Sequence, residues 1–228
     1  MKLAIRIQAT NKRQRWVDTL LYLLNDRRAK AIFDNRLQLW NGAKTTLLSY
    51  NKTHTHMLVL QDDVLPCKDF IKTVEKIIEI LPDQPITLFS NKEAILEAKN
   101  RGINWVKLRK WLMAQTYIMP ISIIEDFLIW EARHIKPEIY YDDNRWAMYF
   151  FYHKKRVWAT APSLVEHLGW NNTSLRNYTP SFIFEPRNRM AKWFIGFENS
   201  GLSIDWSKLE AYEDLDGQNS DFCHYYIP

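Results

Sequence analysis

Apolar and polar positions along the chain predict alternating strands and helices. Residues 2–9 alternate and then run apolar, a first strand. Asn11 follows as an N-cap, and Trp16, Leu20, Leu21, Leu23 and Leu24 supply the apolar stripe of a helix. Ala31-Ile32-Phe33 is a second short strand, and it ends in a carboxylate, Asp34. Residues 37–50 carry apolar side chains at helical spacing around Asn41-Gly42-Ala43-Lys44. Met57 to Leu60 is an unbroken apolar run, which reads as a strand buried on both faces. It stops at two adjacent carboxylates, Asp62 and Asp63. The first 63 residues therefore read strand–helix–strand–helix–strand, a βαβαβ half of the nucleotide-binding type.

Phe70, Val74, Ile77, Ile78 and Leu81 mark an amphipathic helix over residues 69–81, and Pro82 and Pro85 frame a turn. Residues 86–89 predict a fourth strand. Residues 90–110, polar and basic, predict a loop region on the ligand side. Residues 111–119 read as a further strand. Pro120 stands where a first helical turn begins, ahead of a helix over 121–134. A helix over 142–154 and a short strand over 156–160 follow, then Pro162 to Gly169 with its lone His167. From Trp170 the pattern dissolves into Asn, aromatic and acidic residues with Arg176, Arg187, Arg189 and Lys192. The expected fold is α/β, a mixed sheet flanked by helices over residues 1–170. Residues 171–228 form an irregular C-terminal extension, either an acceptor-side flap or a packing appendage.

Composition narrows the partners. Two cysteines, Cys67 and Cys223, exclude a disulfide framework and a cysteine-based zinc site and fit a reducing compartment. The first apolar run is broken by Arg6 and is too short for a signal peptide. No stretch reaches the ~20 apolar residues of a membrane helix, so a cytoplasmic protein is expected. The net charge of +5 is uneven. Residues 1–60 hold eleven Lys or Arg against three Asp, a net of +8, whereas residues 161–228 hold five against nine, a net of −4. A basic N-terminal part predicts a polyanionic ligand such as nucleotide phosphates, nucleic acid or an acidic membrane surface.

The acid pairs are the candidate chemistry. Asp62 and Asp63 stand at the C-terminal end of a buried strand, where open α/β sheets bind ligands. Adjacent aspartates repel, and burying either without a partner is costly. A divalent cation relieves this, and all-oxygen ligands suit Mg²⁺ or Mn²⁺. The plain alternative is a solvated loop in which Asp63 caps the next helix. Asp142-Asp143 repeats the pattern at a helix start, where either residue could serve as an N-cap. There is no GxGxxG and no Walker A motif, so neither a dinucleotide fold nor a P-loop enzyme is supported.

In this order the features resemble a GT-A glycosyltransferase, the metal-dependent nucleotide-sugar enzymes with one Rossmann-like domain. Gln61-Asp62-Asp63 stands where that family has its DxD motif, with Gln61 in place of the first Asp. Asp142-Asp143 resembles the xED motif, with Asp142 in place of Glu. His167 stands where many members have a further metal ligand. Trp158 to His167 resembles the small phage-encoded members and the lipopolysaccharide transferases. The resemblance implies that Asp63 and His167 hold Mn²⁺ or Mg²⁺. Asp62, Asp34, Asn41, Lys44 and Ala9, at the end of the first strand, would meet a nucleotide-sugar donor, with a UDP-sugar favoured. Asp143, with Asp142 beside it, would be the general base if the reaction inverts. The acceptor expected from basic charge is DNA carrying hydroxymethylpyrimidines, with Trp105, Lys107, Arg109, Lys110 and Trp111 suited to stacking and phosphate contacts. The alternatives are a lipopolysaccharide or other surface glycan as acceptor, and a non-catalytic nucleic-acid-binding module on the same fold.

Overall fold

Strands β1 (Leu3–Ala9), β2 (Ala29–Phe33) and β3 (His56–Gln61) alternate with helices α1 (Gln14–Leu24) and α2 (Leu39–Leu47), as the apolar pattern predicts. The computed structural model describes residues 1–34, 39–112, 114–137, 139, 141–168 and 190–215. Arg176, Arg187, Arg189 and Cys223 lie outside the described residues. The chain continues through β4 (Val64–Pro66), α3 (Phe70–Ile80), β5 (Ile86–Thr87), α4 (Ala94–Asn100), β6 (Trp105–Leu108), β7 (Thr116–Pro120) and α5 (Ile121–His134). It closes with α6 (Asp142–Tyr152), β8 (Val157–Thr160), β9 (Val165–His167) and β10 (Ala211–Glu213).

Eight of these strands make one mixed sheet in the order β10-β6-β8-β5-β7-β3-β1-β2. β1 pairs in parallel with both β2 and β3, and β7 runs antiparallel to β3. The chain thus winds from β1 outward to β2 and then crosses back over β1 to β3. That reversal is a topological switch point, and it opens a crevice at the C-terminal ends of β1 and β3. The architecture is Rossmann-like.

Successive strand residues face opposite sides of the sheet, and here both sides are apolar. Leu3, Ile5, Ile7, Leu58 and Leu60 pack with α1 and α3. Ala4, Met57, Val59, Tyr117 and Met119 pack with α2, α4, α5 and α6. This second layer holds a cluster of stacked and edge-on aromatic rings. Trp146 lies between Phe127, stacked at 3.6 Å, and Phe150, stacked at 5.6 Å, with Trp111 and Tyr149 around them.

Several local expectations are corrected. Residues 90–110 are not a loop, because Ile95 and Ala98 anchor α4 and Trp105, Val106 and Leu108 are core positions of β6. The strand expected over 111–119 starts only at Thr116. Asn11 caps nothing. It opens a 3₁₀ turn, Asn11–Arg13, and Arg13 is the N-cap of α1. Helix α3 is preceded by Asp69, so Asp63 is no cap. Tyr141 holds the cap position of α6, which puts Asp142 and Asp143 inside its first turn, where the helix dipole still favours them. Trp105 and Trp111 are 0% and 1% exposed, so neither ring can stack on a base. Lys107 lies over Trp158 and pairs with Glu213 at 3.3 Å.

Residues 190–215 pack on the same body. β10 pairs in parallel with β6, and Trp206 is fully buried with its ring 5.2 Å from that of Trp105. Gly201 sits so close to α3 that a Cβ there would meet Thr73 at 2.7 Å. Among the described residues no helix is long and apolar enough to cross a membrane.

Candidate active site

Three parallel strand ends build the site. The N–H of Asp34, after β2, donates to the carbonyl of Ala9 at 2.8 Å, and the N–H of Asp62, after β3, donates to the carbonyl of Gln8 at 3.1 Å. The N–H of Thr10 donates to Oδ2 of Asp62 at 2.9 Å. Asp34, Ala9 and Asp62 therefore form one row along the C-terminal edge of the sheet.

A separate two-stranded ribbon completes the acid turn. β4 starts at Val64 and pairs antiparallel with β9, which sets Val64 opposite His167. The N–H of Leu168 donates to the carbonyl of Asp63 at 2.7 Å and ties the ribbon to the turn. The Nε2 of His167 thereby lies 3.4 Å from Oδ2 of Asp63, and its ring meets that of Phe89 edge-on at 6.1 Å. Cys67, just beyond β4, is buried, and burial pushes its thiol up to about 11, so it is no nucleophile at neutral pH.

Both carboxylates are 4% exposed, and a residue absent from the sequence reading meets them. One guanidinium nitrogen of Arg13 lies 2.8 Å from Oδ1 of Asp62 and 2.5 Å from Oδ2 of Asp63. Burial pulls the arginine down, but the charges of Asp63 and Asp62 outweigh it and hold its pKa above the ordinary value. Burial and the charge of Asp63 push Asp62 up despite Arg13. Burial also pushes Asp63 up, and there the bond to His167 and the charges of His167 and Arg13 prevail, so Asp63 ends below the ordinary carboxylate value. The pair thus splits, with Asp63 as the firmly ionised member.

Helix α6 brings the second acid pair to the same edge. Asp142 forms a side-chain hydrogen bond with Gln8, the residue whose carbonyl accepts from Asp62. Burial, and then the charge of Asp143, push Asp142 up to about 7. Oδ1 of Asp143 accepts from the N–H of Asn144 at 2.8 Å. Arg145, one turn further on and 2% exposed, fixes the start of the helix. Its Nε donates to the carbonyl of Ile139 at 2.8 Å, it pairs with Glu131 of α5, and its guanidinium lies 4.5 Å over the Trp40 ring.

Asp34, Asn41 and Lys44 come together as the sequence reading expects. With Phe33, Gly42, Thr45 and Leu48 they line one cavity of about 460 Å³. Gly42 is required there, since a Cβ would stand 2.8 Å from Cβ of Asp34 and 2.9 Å from its Oδ2. Lys44 also reaches Glu131 at 3.5 Å.

Three buried side-chain atoms along this edge, Thr10 Oγ1, Asp63 Oδ1 and Gln115 Oε1, have no hydrogen-bond partner among the described residues. Gln115 belongs here because its carbonyl accepts from the N–H of Gln61 at 2.8 Å. Polar atoms left unpaired in this way are common where a ligand supplies the missing partner. The free Oδ1 of Asp63 and the imidazole of His167 fit two positions around a divalent cation. No cluster of three or more His, Cys, Asp or Glu side chains suited to a metal occurs among the described residues, and Asp62 is engaged by Arg13 and by the N–H of Thr10.

No family profile matches the chain, and no curated protein matches it. A solved structure titled "Crystal Structure of A197 from STIV" is similar to it at 17% identity, covering 73% of this chain and 85% of that chain with a TM-score of 0.47. The class is therefore defined by the molecule itself: a Rossmann-like α/β protein with acid pairs at a topological switch point and a cavity beside it at the end of β2.

Proposed function

We propose that this protein is a glycosyltransferase that moves a sugar from a nucleotide-sugar, with a UDP-sugar favoured, to a hydroxyl acceptor. The observation that carries this reading is the convergence of Asp34, Asp62, Asp63, His167 and Asp142 on one sheet edge beside the Asn41–Lys44 cavity. The GT-A resemblance assigns each of these positions a task. Asp34, Asn41, Lys44 and the backbone at Ala9 take the nucleotide. Asp62 faces the donor. Asp63 and His167 hold Mn²⁺ or Mg²⁺, and such an ion neutralises charge on a departing diphosphate.

The acceptor hydroxyl must lose a proton as it attacks. A base works best when its pKa is near the working pH. Asp142, pushed up to about 7 and hydrogen-bonded to Gln8 at the crevice, meets that condition. Asp143, the base by family register, is engaged by the N–H of Asn144. Asp142→Asn and Asp143→Asn, compared for transfer at unchanged UDP affinity, decide which acts.

The DNA reading loses Trp105 and Trp111 to the core. Several basic residues of the N-terminal part are paired internally: Arg6 with backbone carbonyls and Ser49, Arg13 with Asp62 and Asp63, and Arg28 with Asp26 and Glu75. The testing experiment is a panel of nucleotide-sugars with Mn²⁺ or Mg²⁺. Its acceptor arms are hydroxymethylated DNA, plain DNA and phosphorylated glycan, and it is read as nucleotide release and label transfer. Metal-dependent release lost in Asp63→Asn supports the reading. Salt-sensitive DNA binding with no release under any condition would move it to the non-catalytic nucleic-acid module.

A further inference from the structure

We propose that Arg13 is a built-in counter-cation that guards the acid pair, holding Asp62 and Asp63 while no donor is bound and yielding them only to a divalent cation that arrives with a diphosphate. This rests on the metal part of the reading above. Three observations carry it. First, a single nitrogen of Arg13 satisfies both buried carboxylates, and the arginine side chain is only 12% exposed. The protein has thus already supplied the positive charge that the pair requires. Second, the arginine is asymmetric in what it satisfies. It shares Oδ2 of Asp63 with His167 and leaves Oδ1 of the same carboxylate buried without a partner among the described residues. A site completed by arginine alone would not leave that oxygen orphaned. Third, Arg13 ends the 3₁₀ turn that follows β1, so it stands at the crevice mouth where a donor's phosphates would enter.

A guanidinium and a divalent cation on one carboxylate repel each other. A cation alone must therefore displace Arg13 from the acid pair at a cost in charge pairing. A diphosphate changes this, since its oxygens match the planar guanidinium fork. The swap is a charge exchange and forms no covalent bond. It makes cation and nucleotide bind cooperatively, and by linkage each tightens the other by the same factor.

The test is Mn²⁺ binding followed by electron paramagnetic resonance, with and without UDP. In the unaltered protein Mn²⁺ alone binds weakly, and UDP tightens it by about tenfold or more. In Arg13→Gln, Mn²⁺ alone binds about tenfold tighter than in the unaltered protein, and the UDP effect shrinks. Adding Asp63→Asn removes the gained site. Mn²⁺ also raises the melting temperature of Arg13→Gln more than that of the unaltered protein. If Arg13→Gln does not fold, Arg13→Lys replaces it, with a single ammonium giving an intermediate gain. Equal Mn²⁺ affinity in the folded variant and the unaltered protein overturns the guard and leaves the metal site standing. A gain that survives Asp63→Asn overturns it too. UDP binding with no Mn²⁺ site in any protein removes the metal reading and the guard together, while donor binding stands.

Discussion

Arg145→Ala should be among the most damaging single substitutions in the protein. The side chains of Arg145 and Glu131 are 2% and 6% exposed, so both charges lie out of water. Arg145 also donates to the carbonyls of Ile139 and Lys136. Removing one member of a buried ion pair costs about 3–5 kcal/mol, mostly because the other charge is left uncompensated. Lys44, 3.5 Å from Glu131 and 39% exposed, offsets less than ~1 kcal/mol of that. For a chain of this size each kcal/mol lowers the melting temperature by roughly 2–4 °C, so a net loss of about 2–5 kcal/mol gives a fall of roughly 4–20 °C. The assay is chemical and thermal unfolding of Arg145→Ala, Glu131→Leu and the double variant Arg145→Met with Glu131→Leu. The double variant should recover most of the loss, since replacing a whole buried pair with apolar groups is often neutral. A loss under ~1 kcal/mol in Arg145→Ala, or a double variant worse than both singles, would refute the reasoning.

Two further outcomes follow from the site. Gly42→Ala would ordinarily favour a helix by about 0.5–1 kcal/mol, but here the added Cβ stands 2.8 Å from Asp34. It should cost stability and lower UDP affinity about tenfold by calorimetry, and unchanged affinity would remove Asp34 from the donor site. Asp142 has a folded-state pKa raised to about 7, so the folded form binds more protons than the unfolded form between about pH 4 and 7. Its contribution to stability is therefore present at low pH and lost as pH rises through that window. Asp142→Asn should flatten the fall, and an unchanged pH–stability curve would contradict the assignment.

The βαβαβ half was legible because β1 and β3 are runs of buried apolar residues and each of the three strands stops at or just before a polar residue, Thr10, Asp34 or Gln61. Asp34, Asp62 and Asp63 could be placed for the same reason. Arg13 could not, since a basic residue ahead of a helix looks like any surface arginine until β1 and β3 bring residues 49 and 50 positions apart together. Gln8 and Gln115 carry no pattern of their own and matter only through the register of β1, β3 and β7. Trp105 and Trp111 were misplaced because their sequence neighbours are cationic. Lys107 follows Trp105 by two positions on the same strand, yet it stays partly exposed by lying over Trp158. Three-residue strands such as β10 take their conformation from the strand beside them, which no local window contains.

The acid turn and His167 are about 100 residues apart in the chain, although the β4–β9 ribbon sets them side by side. During synthesis at roughly 5–20 residues per second, the two aspartates wait roughly 5–20 s for their histidine. Arg13 leaves the ribosome before either of them. A nascent chain can thus close the β1–β3 edge with one positive charge already set between the two carboxylates, and the ribbon seals a turn whose repulsion is partly offset. Without Arg13 the same chain would carry two unmatched carboxylates through that interval, so soluble yield during expression would register its loss before any property of the finished protein.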